Sequence, residues 1–343
     1  MNTKVLVAQT TNLSSIAADA AHLLKKGEVV VVPTETVYGL AAQIYDEDAV
    51  KRIFEVKGRP QDNPLIVHIA SLDMLPELVV EIPESAKELI RRFWPGPLTI
   101  IFKKKPNVSD TITCGMDTVA IRFPVHPVAM EIIRQTGIPL AAPSANLSGK
   151  PSPTTAEHCV NDLDGKVPLI VDGGPCEVGV ESTVISVAGA KPTILRPGIV
   201  SLEEIRSVVP ETEISESVFR KVGENEPVAS PGLKYKHYAP NCDVVLVDSD
   251  SARYVEYVNH FGNENEYAMC FSEEAHDIRI PVAVYGSASD PEEQARNIFD
   301  LLRSIDKTGA QRIYVHAPGE SGKSLAVSNR LMRAAGFQVV KLR

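Results

Sequence analysis

Four cationic side chains in the first two hundred residues stand where predicted helices or strands end: Lys57, Arg59, Arg122 and Arg196. The first two flank a glycine and precede a proline, so their loop is stiff, and ammonium and guanidinium groups hold phosphate oxygens well. Each position also has an ordinary explanation, because a helix C-terminus favours a cation and an outward-facing strand arginine is usually solvated. The sequence contains no Cys or His cluster with transition-metal spacing and no G-x-S-x-G nucleophile motif. This combination favours positioning and charge neutralisation around a polyanionic substrate over covalent catalysis.

Polar residues also interrupt the segments next to these cations. Residues 33–39 leave a hydrophobic strand with two threonine hydroxyls and one carboxylate, and Ser144 and Asn146 directly follow another predicted strand. Loops at strand ends commonly build the sites of α/β proteins, although plain turns explain the same residues. His68 lies within the apolar run 65–69, where a buried histidine with satisfied hydrogen bonds is the ordinary interpretation. Alone, none of these positions decides between a site and a turn.

A phosphate-binding loop is suggested by residues 317–324, which read APGESGKS between a predicted strand and a predicted helix. Ala317 stands where the motif has glycine, and Pro318 removes one of the backbone N–H groups that would contact phosphate. We therefore expect a turn that leads into the last helix, with a P-loop nucleotide site in this segment as the alternative.

Length and composition limit the class of protein. The 343 residues, 44% hydrophobic and 23% charged, are enough for about two globular domains and exclude a disordered chain or a disulfide-stapled mini-protein. The 35 Lys and Arg against 44 Asp and Glu give a net charge of −9, which argues against stable nucleic-acid binding. Five cysteines without C-x-x-C spacing predict neither disulfides nor a zinc site, and no run approaches the ~20 apolar residues of a membrane span. With only a short apolar stretch in residues 1–11, we expect a cytoplasmic protein.

The predicted elements fall into two parts. In the first part strands outnumber helices and come in consecutive pairs, which favours a mixed sheet over strict βαβ winding. Its predicted helices are 14–26, 46–57 and 85–94, and its predicted strands are 28–32, 65–69, 98–102, 119–123, 140–142, 169–172, 183–187 and 193–195. In the second part strands 244–246, 268–271, 282–284, 312–316 and 339–340 alternate with helices 251–261, 291–305 and 324–335. We expect an α/β fold with α+β character, in which residues 1–210 form a mixed-sheet domain, 211–240 a linker and 241–343 a small Rossmann-like domain.

Short motifs occur along the chain in the order of a known family. They are residues 33–39 (PTETVYG), 57–65 (KGRPQDNPL), 93–99 (FWPGPLT), 122–124 (RFP), 143–146 (PSAN), 182–184 (STV), 196–198 (RPG) and 230–240 (SPGLKYKHYAP). On these residues the chain resembles the YrdC/YwlC family in its long, two-domain form. The resemblance covers essentially the whole chain and implies a twisted mixed sheet with surrounding helices and a concave, positively charged cavity.

The resemblance implies L-threonylcarbamoyladenylate synthase activity. In this nucleotidyl transfer, L-threonine, bicarbonate and ATP give threonylcarbamoyl-AMP and pyrophosphate. The product would pass to a partner transferase that modifies the adenosine next to the anticodon of tRNA. Mg²⁺ would be held mainly by the phosphates and water, and no protein metal site is expected.

The resemblance also implies roles for individual residues. L-threonine would be bound by Thr36, His68, Arg122, Ala142 and Ser182, with the guanidinium on the carboxylate of the amino acid. ATP would be bound by Lys57, Arg59, Asn63, Thr118, Ser144, Asn146, Ser152, Arg196 and Tyr238. Three of these, Lys57, Arg59 and Arg196, would act catalytically by offsetting the charge that develops on pyrophosphate. Residues 234–238, with their cations and aromatic rings, would close over the cavity, or serve as a stiff spacer.

Two other classes of function remain open on the sequence. One is an RNA-binding module that uses the positive cavity, against which the net charge argues. The other is a carbamoyltransferase of the hydrogenase-maturation kind, which carries a related domain together with an acylphosphatase-like part and zinc-finger cysteines. No cysteine spacing of that kind occurs in this sequence.

Overall fold

Two sheets carry the fold of residues 2–221, 223 and 238–342, which are the residues that the computed structural model describes. The strands of the first sheet are β1 (Lys4–Val7), β2 (Val30–Val32), β3 (Gly39–Gln43), β4 (Ile66–His68), β5 (Leu98–Lys103), β6 (Thr118–Arg122), β7 (Leu140–Ala141), β8 (Leu169–Asp172), β9 (Thr183–Ser186), β10 (Thr193–Arg196) and β11 (Glu213–Ile214). Those of the second sheet are β12 (Asp243–Asp248), β13 (Glu266–Phe271), β14 (Val282–Gly286), β15 (Arg312–His316) and β16 (Val339–Lys341). The helices are α1 (Leu13–Lys25), α2 (Glu47–Lys57), α3 (Leu75–Leu78), α4 (Glu84–Phe93), α5 (Asp110–Thr113), α6 (Pro127–Thr136), α7 (Ala156–Leu163), α8 (Leu202–Arg206), α9 (Ser251–Phe261), α10 (Pro291–Lys307) and α11 (Ser324–Ala334).

The first sheet is mixed, with the strand order β1-β8-β2-β3-β7-β4-β6-β5-β9-β10-β11. Parallel pairs such as β4 with β6 stand beside antiparallel pairs such as β5 with β6, which confirms the predicted mixed sheet. Because parallel strands end at the same edge, His68 at the end of β4 lies beside Arg122 at the end of β6, in register. The topology therefore brings together residues that lie far apart in the sequence.

Helices cover both faces of this sheet. On one face, Ile16 and Leu24 of α1 pack with Ile132 of α6 in a buried apolar cluster. On the other face, the larger core takes in Ile53 of α2 and Leu89 of α4 together with alternate strand residues. With apolar material on both faces, strands such as β2 are buried throughout, which explains why they read as continuous Val runs.

The helix α2 illustrates how local sequence positions the cationic loop. The carboxylate of Asp46 caps its N-terminus by accepting from the backbone N–H groups of Asp48 and Ala49, both at 3.0 Å. The helix ends at Gly58, whose φ of 60° is the left-handed conformation that favours glycine. Both the start and the end were predicted, and together they place Lys57 and Arg59 at the helix C-terminus.

The second sheet is fully parallel, with the order β14-β13-β15-β12-β16. Helices α9, α10 and α11 connect its strands, and each predicted strand and helix after residue 241 is present with ends shifted by a few residues. The predicted Rossmann-like alternation is therefore confirmed. Residues 317–323 form a turn that leads into α11, and Lys323 forms an ion pair with Glu292.

Helices α10 and α11 pack against the first part of the chain through buried ion pairs. Arg303 of α10 contacts Asp162 at 2.8 Å, and Arg330 of α11 contacts Glu181 at 2.7 Å. Gly179 approaches α10 so closely that a Cβ there would lie 2.4 Å from the carbonyl oxygen of Ala295. The two parts of the chain therefore share a tightly packed, charged contact.

Several elements have no counterpart among those predicted from the sequence. The strand β3 has the composition GLAAQ, whose small residues lack the β-branched signature of strands. The helix α6 follows a His126 cap and begins with a proline at its first position, where the missing N–H costs no hydrogen bond. Helix α7 and strand β1 were also missed, because they are short and only weakly periodic.

Three further observations concern membrane spans, metal ligands and cysteines. Within residues 2–221, 223 and 238–342, no helix combines the length and apolar character that crossing a membrane requires. The same residues contain no group of three or more His, Cys, Asp or Glu arranged to hold a metal ion. All five cysteines are free thiols.

Candidate functional site

A partly open cavity of about 740 Å³, counting the solvent at its mouth, lies where the loops after β2, α2 and β7 meet the ends of β4, β6 and β10. Most of the predicted site residues line it: Lys57, Arg59, His68, Arg122, Ala142, Ser144, Asn146, Ser152, Ser182, Arg196 and Tyr238. The four cations Lys57, Arg59, Arg122 and Arg196 thus face one cavity.

Three predicted site residues are not among those that line the cavity. Thr36 lies directly behind it, where its hydroxyl accepts from Nη1 of Arg122 at 2.7 Å. Asn63 is buried in the loop after α2, and its Oδ1 has no hydrogen-bond partner among the described residues. Thr118 begins β6, opposite Lys103 of β5, and so stands at the other end of the strand from Arg122. Of the predicted lid, residues 234–237 lie outside the described residues, and only Tyr238 lies within them.

Arg122 is held in place from two sides. Its Nη2 donates to Oε1 of Glu35 at 2.6 Å, and its Nη1 donates to Thr36. The Nε atom is buried and has no partner among the described residues. The ordinary interpretation of a solvated strand arginine is wrong here, because the side chain is only 4% exposed. A fixed guanidinium with donor capacity is suited to a carboxylate.

His68 adjoins Arg122 and is buried. Burial, and then the positive charge of Arg122, lower the pKa of His68 to about 3. The imidazole is therefore neutral at neutral pH, and it offers a hydrogen bond without adding charge to the cationic site.

Lys57 connects the end of α2 to the loop after β7. Its Nζ donates to the carbonyl oxygens of Ser144 and Asn146, both at 2.5 Å, and the side chain is 2% exposed. Burial, and then the charge of Arg59, hold the pKa of Lys57 well below its ordinary value. In the same loop, Ser144 Oγ donates to Oδ1 of Asn146 at 2.5 Å. The ammonium therefore organises the loop that carries these polar groups.

Two guanidinium groups stand opposite this loop. Arg59 donates from Nη2 to the carbonyl oxygens of Asn63 at 3.1 Å and Pro64 at 3.2 Å. Arg196 donates from Nη2 to the carbonyl oxygen of Ser182 at 3.1 Å and to its hydroxyl at 3.2 Å. Burial lowers the pKa of each arginine to about 10, so both stay charged at neutral pH.

Several contributors to this site had no role in the sequence prediction. Glu35 pairs with Arg122, and Glu181 lines the cavity and accepts from Ser152 Oγ at 2.5 Å. Burial alone would raise the pKa of Glu181, but the charges of Arg330 and Arg196 and the hydrogen bonds of Ser152 and Arg330 hold it below its ordinary value. The position of Glu35 between two threonine hydroxyls was a sequence signal for that residue. Arg330 had none, because it lies 149 residues from Glu181.

Two family models match this chain. A family model for the Sua5, YciO and YrdC proteins, described as "Telomere recombination", matches residues 22–198. A second, described as "Threonylcarbamoyl-AMP synthase, C-terminal domain", matches residues 200–336.

Relatives match over nearly the whole chain. A threonylcarbamoyl-AMP synthase from Pyrococcus abyssi is 45% identical, over 94% of this chain and 95% of its own. One from Bacillus subtilis is 45% identical, over 94% of each chain. A crystal structure of Sua5 from P. abyssi complexed with L-threonine superposes with a TM-score of 0.91 at 42% identity and covers 100% of both chains. The chain therefore belongs to the threonylcarbamoyl-AMP synthase family, in its two-domain form.

Proposed function

We propose that the cavity joins L-threonine, bicarbonate and ATP into threonylcarbamoyl-AMP and releases pyrophosphate. The observation that carries the proposal is the convergence of Lys57, Arg59, Arg122 and Arg196 on one cavity in a member of this family. A site that binds a polyanion and an amino acid needs several cations close together. In this chain acidic residues outnumber basic ones, so the grouping of four cations in one cavity is a specific feature.

The chemistry needs no nucleophile from the protein. The threonine amine combines with bicarbonate, water leaves, and an N-carboxylate forms. An oxygen of this carbamate then attacks the α-phosphorus of ATP, and the bond to the bridging oxygen breaks, so that pyrophosphate departs with its electron pair. The protein therefore has to align the reactants, offset charge on the pyrophosphate and keep water from a labile carbamate.

The amino acid is assigned to the Arg122 side of the cavity. The guanidinium would take the threonine carboxylate, with Thr36 and Ser182 as hydroxyl partners. Neutral His68 and the backbone at Ala142 would complete the pocket. The fixed orientation of Arg122 by Glu35 supports this assignment, because a guanidinium that is already immobilised loses little entropy on binding.

The nucleotide is assigned to the opposite side. Lys57, Arg59 and Arg196 would bind the triphosphate, and Mg²⁺ would arrive with ATP, bound mainly by its phosphates and water. The remaining nucleotide contacts are assigned to Asn63, Thr118, Ser144, Asn146, Ser152 and Tyr238. Oδ1 of Asn63 has no hydrogen-bond partner among the described residues, and it could accept from a ribose hydroxyl or from the adenine amino group. Thr118 would be reached only by a nucleotide that extends along β6.

Water exclusion is assigned to the segment that ends at Tyr238. This side chain lines the cavity and is 4% exposed, so it can keep water from its side of the cavity. The predicted closing role of residues 234–237 lies outside the described residues. The labile product would pass to a partner transferase that acts on tRNA, and we place both steps in the cytoplasm for that reason.

The test is pyrophosphate release by the full chain, with threonine, bicarbonate or ATP omitted in turn. We expect release only with all three present, and release without threonine would overturn the proposal. Binding of labelled tRNA across a salt series separates the RNA-binding alternative, which requires strong, salt-sensitive binding by the chain alone. We expect no such binding.

A further inference from the structure

We propose that Arg330, on α11 of the second sheet, is a positioning residue for the nucleotide side of the cavity. It acts through Glu181, Pro197 and Tyr238, so that the second part of the chain holds residues of the cavity in position. The inference rests on the proposed function for the identity of the nucleotide.

The first connection runs through a shared carboxylate. Arg330 is 1% exposed, and its Nε donates to Oε2 of Glu181 at 2.7 Å. The other oxygen of the same carboxylate accepts from Ser152 Oγ at 2.5 Å. Because one carboxylate holds both partners, displacement of Arg330 would release the orientation of Ser152, which lines the cavity.

The second connection reaches the end of β10. Nη1 of Arg330 donates to the carbonyl oxygen of Pro197 at 2.8 Å, and this residue directly follows Arg196. The next residue, Gly198, has no room for a side chain, because a Cβ there would lie 2.3 Å from the backbone N of Thr183. The backbone after Arg196 is thus held between Arg330 and the start of β9.

The third connection reaches the aromatic residue at the cavity wall. The guanidinium carbon of Arg330 lies 5.7 Å from the ring centre of Tyr238, and the same ring stacks on Phe299 of α10 at 5.1 Å. A cation over one part of a ring and an aromatic group beside it restrain the ring without contact to substrate. Helices α10 and α11 together therefore support Tyr238.

The charge of Arg330 also matters for an anionic ligand. Glu181 is the acidic residue among those that line the cavity, and the charge of Arg330 is one reason why its pKa lies below the ordinary value. If Arg330 is removed, the buried carboxylate of Glu181 keeps Arg196 and Ser152 but loses the cation that contacts it. A buried carboxylate with less compensating charge weakens the binding of an anionic ligand and destabilises the fold.

A purely structural role is separable, because the chain offers another contact between the same two parts. Nε2 of His158 on α7 lies 3.1 Å from Oδ1 of Asp300 on α10. Neither residue lines the cavity. Asp300→Ala therefore removes a contact between the two parts away from the residues assigned to the nucleotide.

The experiment measures the dissociation constants of a non-hydrolysable ATP analogue and of L-threonine for the full chain, together with its melting temperature. For Arg330→Met we expect nucleotide affinity to fall about tenfold or more, while threonine affinity changes less than about threefold. Asp300→Ala should leave nucleotide affinity within about threefold of the unmodified chain, and the melting temperatures show how far each contact between the two parts stabilises the fold. Adding Glu181→Gln to Arg330→Met should restore part of the lost nucleotide affinity, because the carboxylate charge is removed while the contacts to Pro197 and Tyr238 are still missing.

Two results would overturn the inference. One is equal nucleotide affinity of Arg330→Met and Asp300→Ala, and the other is a double variant that binds nucleotide no better than Arg330→Met. If Arg330→Met does not fold, Arg330→Lys and the double variant are compared instead. Arg330→Lys keeps a cation beside Glu181, and the double variant removes the charge of Glu181. Nucleotide binding is measured without turnover, so failure of threonine-dependent pyrophosphate release would count against the proposed function alone.

Discussion

Nη2 of Arg122 lies 2.6 Å from Oε1 of Glu35, and both side chains are 4% exposed. The second oxygen of Glu35 accepts from the backbone N–H of Val125 at 3.3 Å, so the carboxylate is itself held by the chain that follows β6. A buried arginine with one carboxylate partner has a single orientation before any ligand arrives. The pair therefore pre-organises the cavity for a second carboxylate, at the cost of placing an anion near it.

Replacing Arg122 with lysine tests this arrangement. A lysine keeps the charge but cannot keep the contacts to Glu35 and Thr36 and also present a planar pair of donors. For Arg122→Lys we expect the KM for threonine to rise about tenfold or more, with the affinity for an ATP analogue changed less than about twofold. Both are measured with the full chain, by pyrophosphate release and by equilibrium binding.

The control for that substitution is Arg134→Lys, on an arginine of α6 whose side chain is 57% exposed. It should leave both constants unchanged. A normal threonine KM for Arg122→Lys would remove Arg122 from the threonine carboxylate.

His68 should make the stability of the protein depend on pH. Its pKa falls from 6.5 in the unfolded chain to about 3 in the folded protein, because burial and Arg122 oppose the charged form. Between these values the unfolded chain binds the extra proton, so this contribution is complete above pH 6.5 and is lost as the pH falls toward 3. The slope is about 1.4 kcal/mol for each pH unit within that window.

Urea unfolding between pH 7.5 and 5.0 measures this slope. His68→Asn should reduce the loss of stability below pH 6.5, and His22→Gln, at an exposed histidine of α1, should not. An unchanged slope in His68→Asn would contradict the burial of an uncharged imidazole.

Substitutions at two glycines distinguish the cost of a left-handed backbone conformation from the cost of disturbing the contact between the two parts of the chain. Gly174 and Gly179 have similar φ angles of 85° and 82°, but a Cβ at Gly174 would meet nothing within 4 Å. Both alanine substitutions incur about 1–2 kcal/mol for the left-handed conformation. Gly179→Ala must also displace α10, so it should cost about 1–3 kcal/mol more in the free energy of unfolding, read from urea titration. Equal losses for the two variants would show that the close approach to α10 is relaxed in solution.

The sequence predicted those parts of the fold whose signals are local. The Asp46 cap and Gly58 defined α2 and its cationic loop, and regular alternation defined the second sheet. Strand β3 was not predicted because residues such as Ala41 and Ala42 are small and buried on both faces, so the strand shows neither β-branched residues nor period-two alternation. Elements that owe their form to tertiary packing leave little trace in the sequence.

The candidate site follows the same rule. Lys57 and Arg59 could be recognised from one loop, whereas their grouping with Arg122 depends on the order of strands in the sheet. Glu181 and Arg330 are 149 residues apart, and nothing in either segment indicates that they pair. Side chains that act through another side chain are visible only once the topology is known.

The hypothesis of a P-loop nucleotide site in residues 317–324 and the hypothesis of a nucleotide site in the cavity predict opposite effects of substitutions on turnover. Lys323 is partly exposed, forms an ion pair with Glu292 on the surface and does not line the cavity, whereas Arg59 does. A surface pair contributes at most about 1 kcal/mol, so Lys323→Ala should leave threonine-dependent pyrophosphate release within about twofold of the unmodified chain. Arg59→Ala should raise the KM for ATP about tenfold or more, because a phosphate loses a guanidinium partner in a partly buried site. Turnover measured over a range of ATP concentrations distinguishes the two, and a loss in Lys323→Ala equal to that in Arg59→Ala would move the nucleotide to the second sheet.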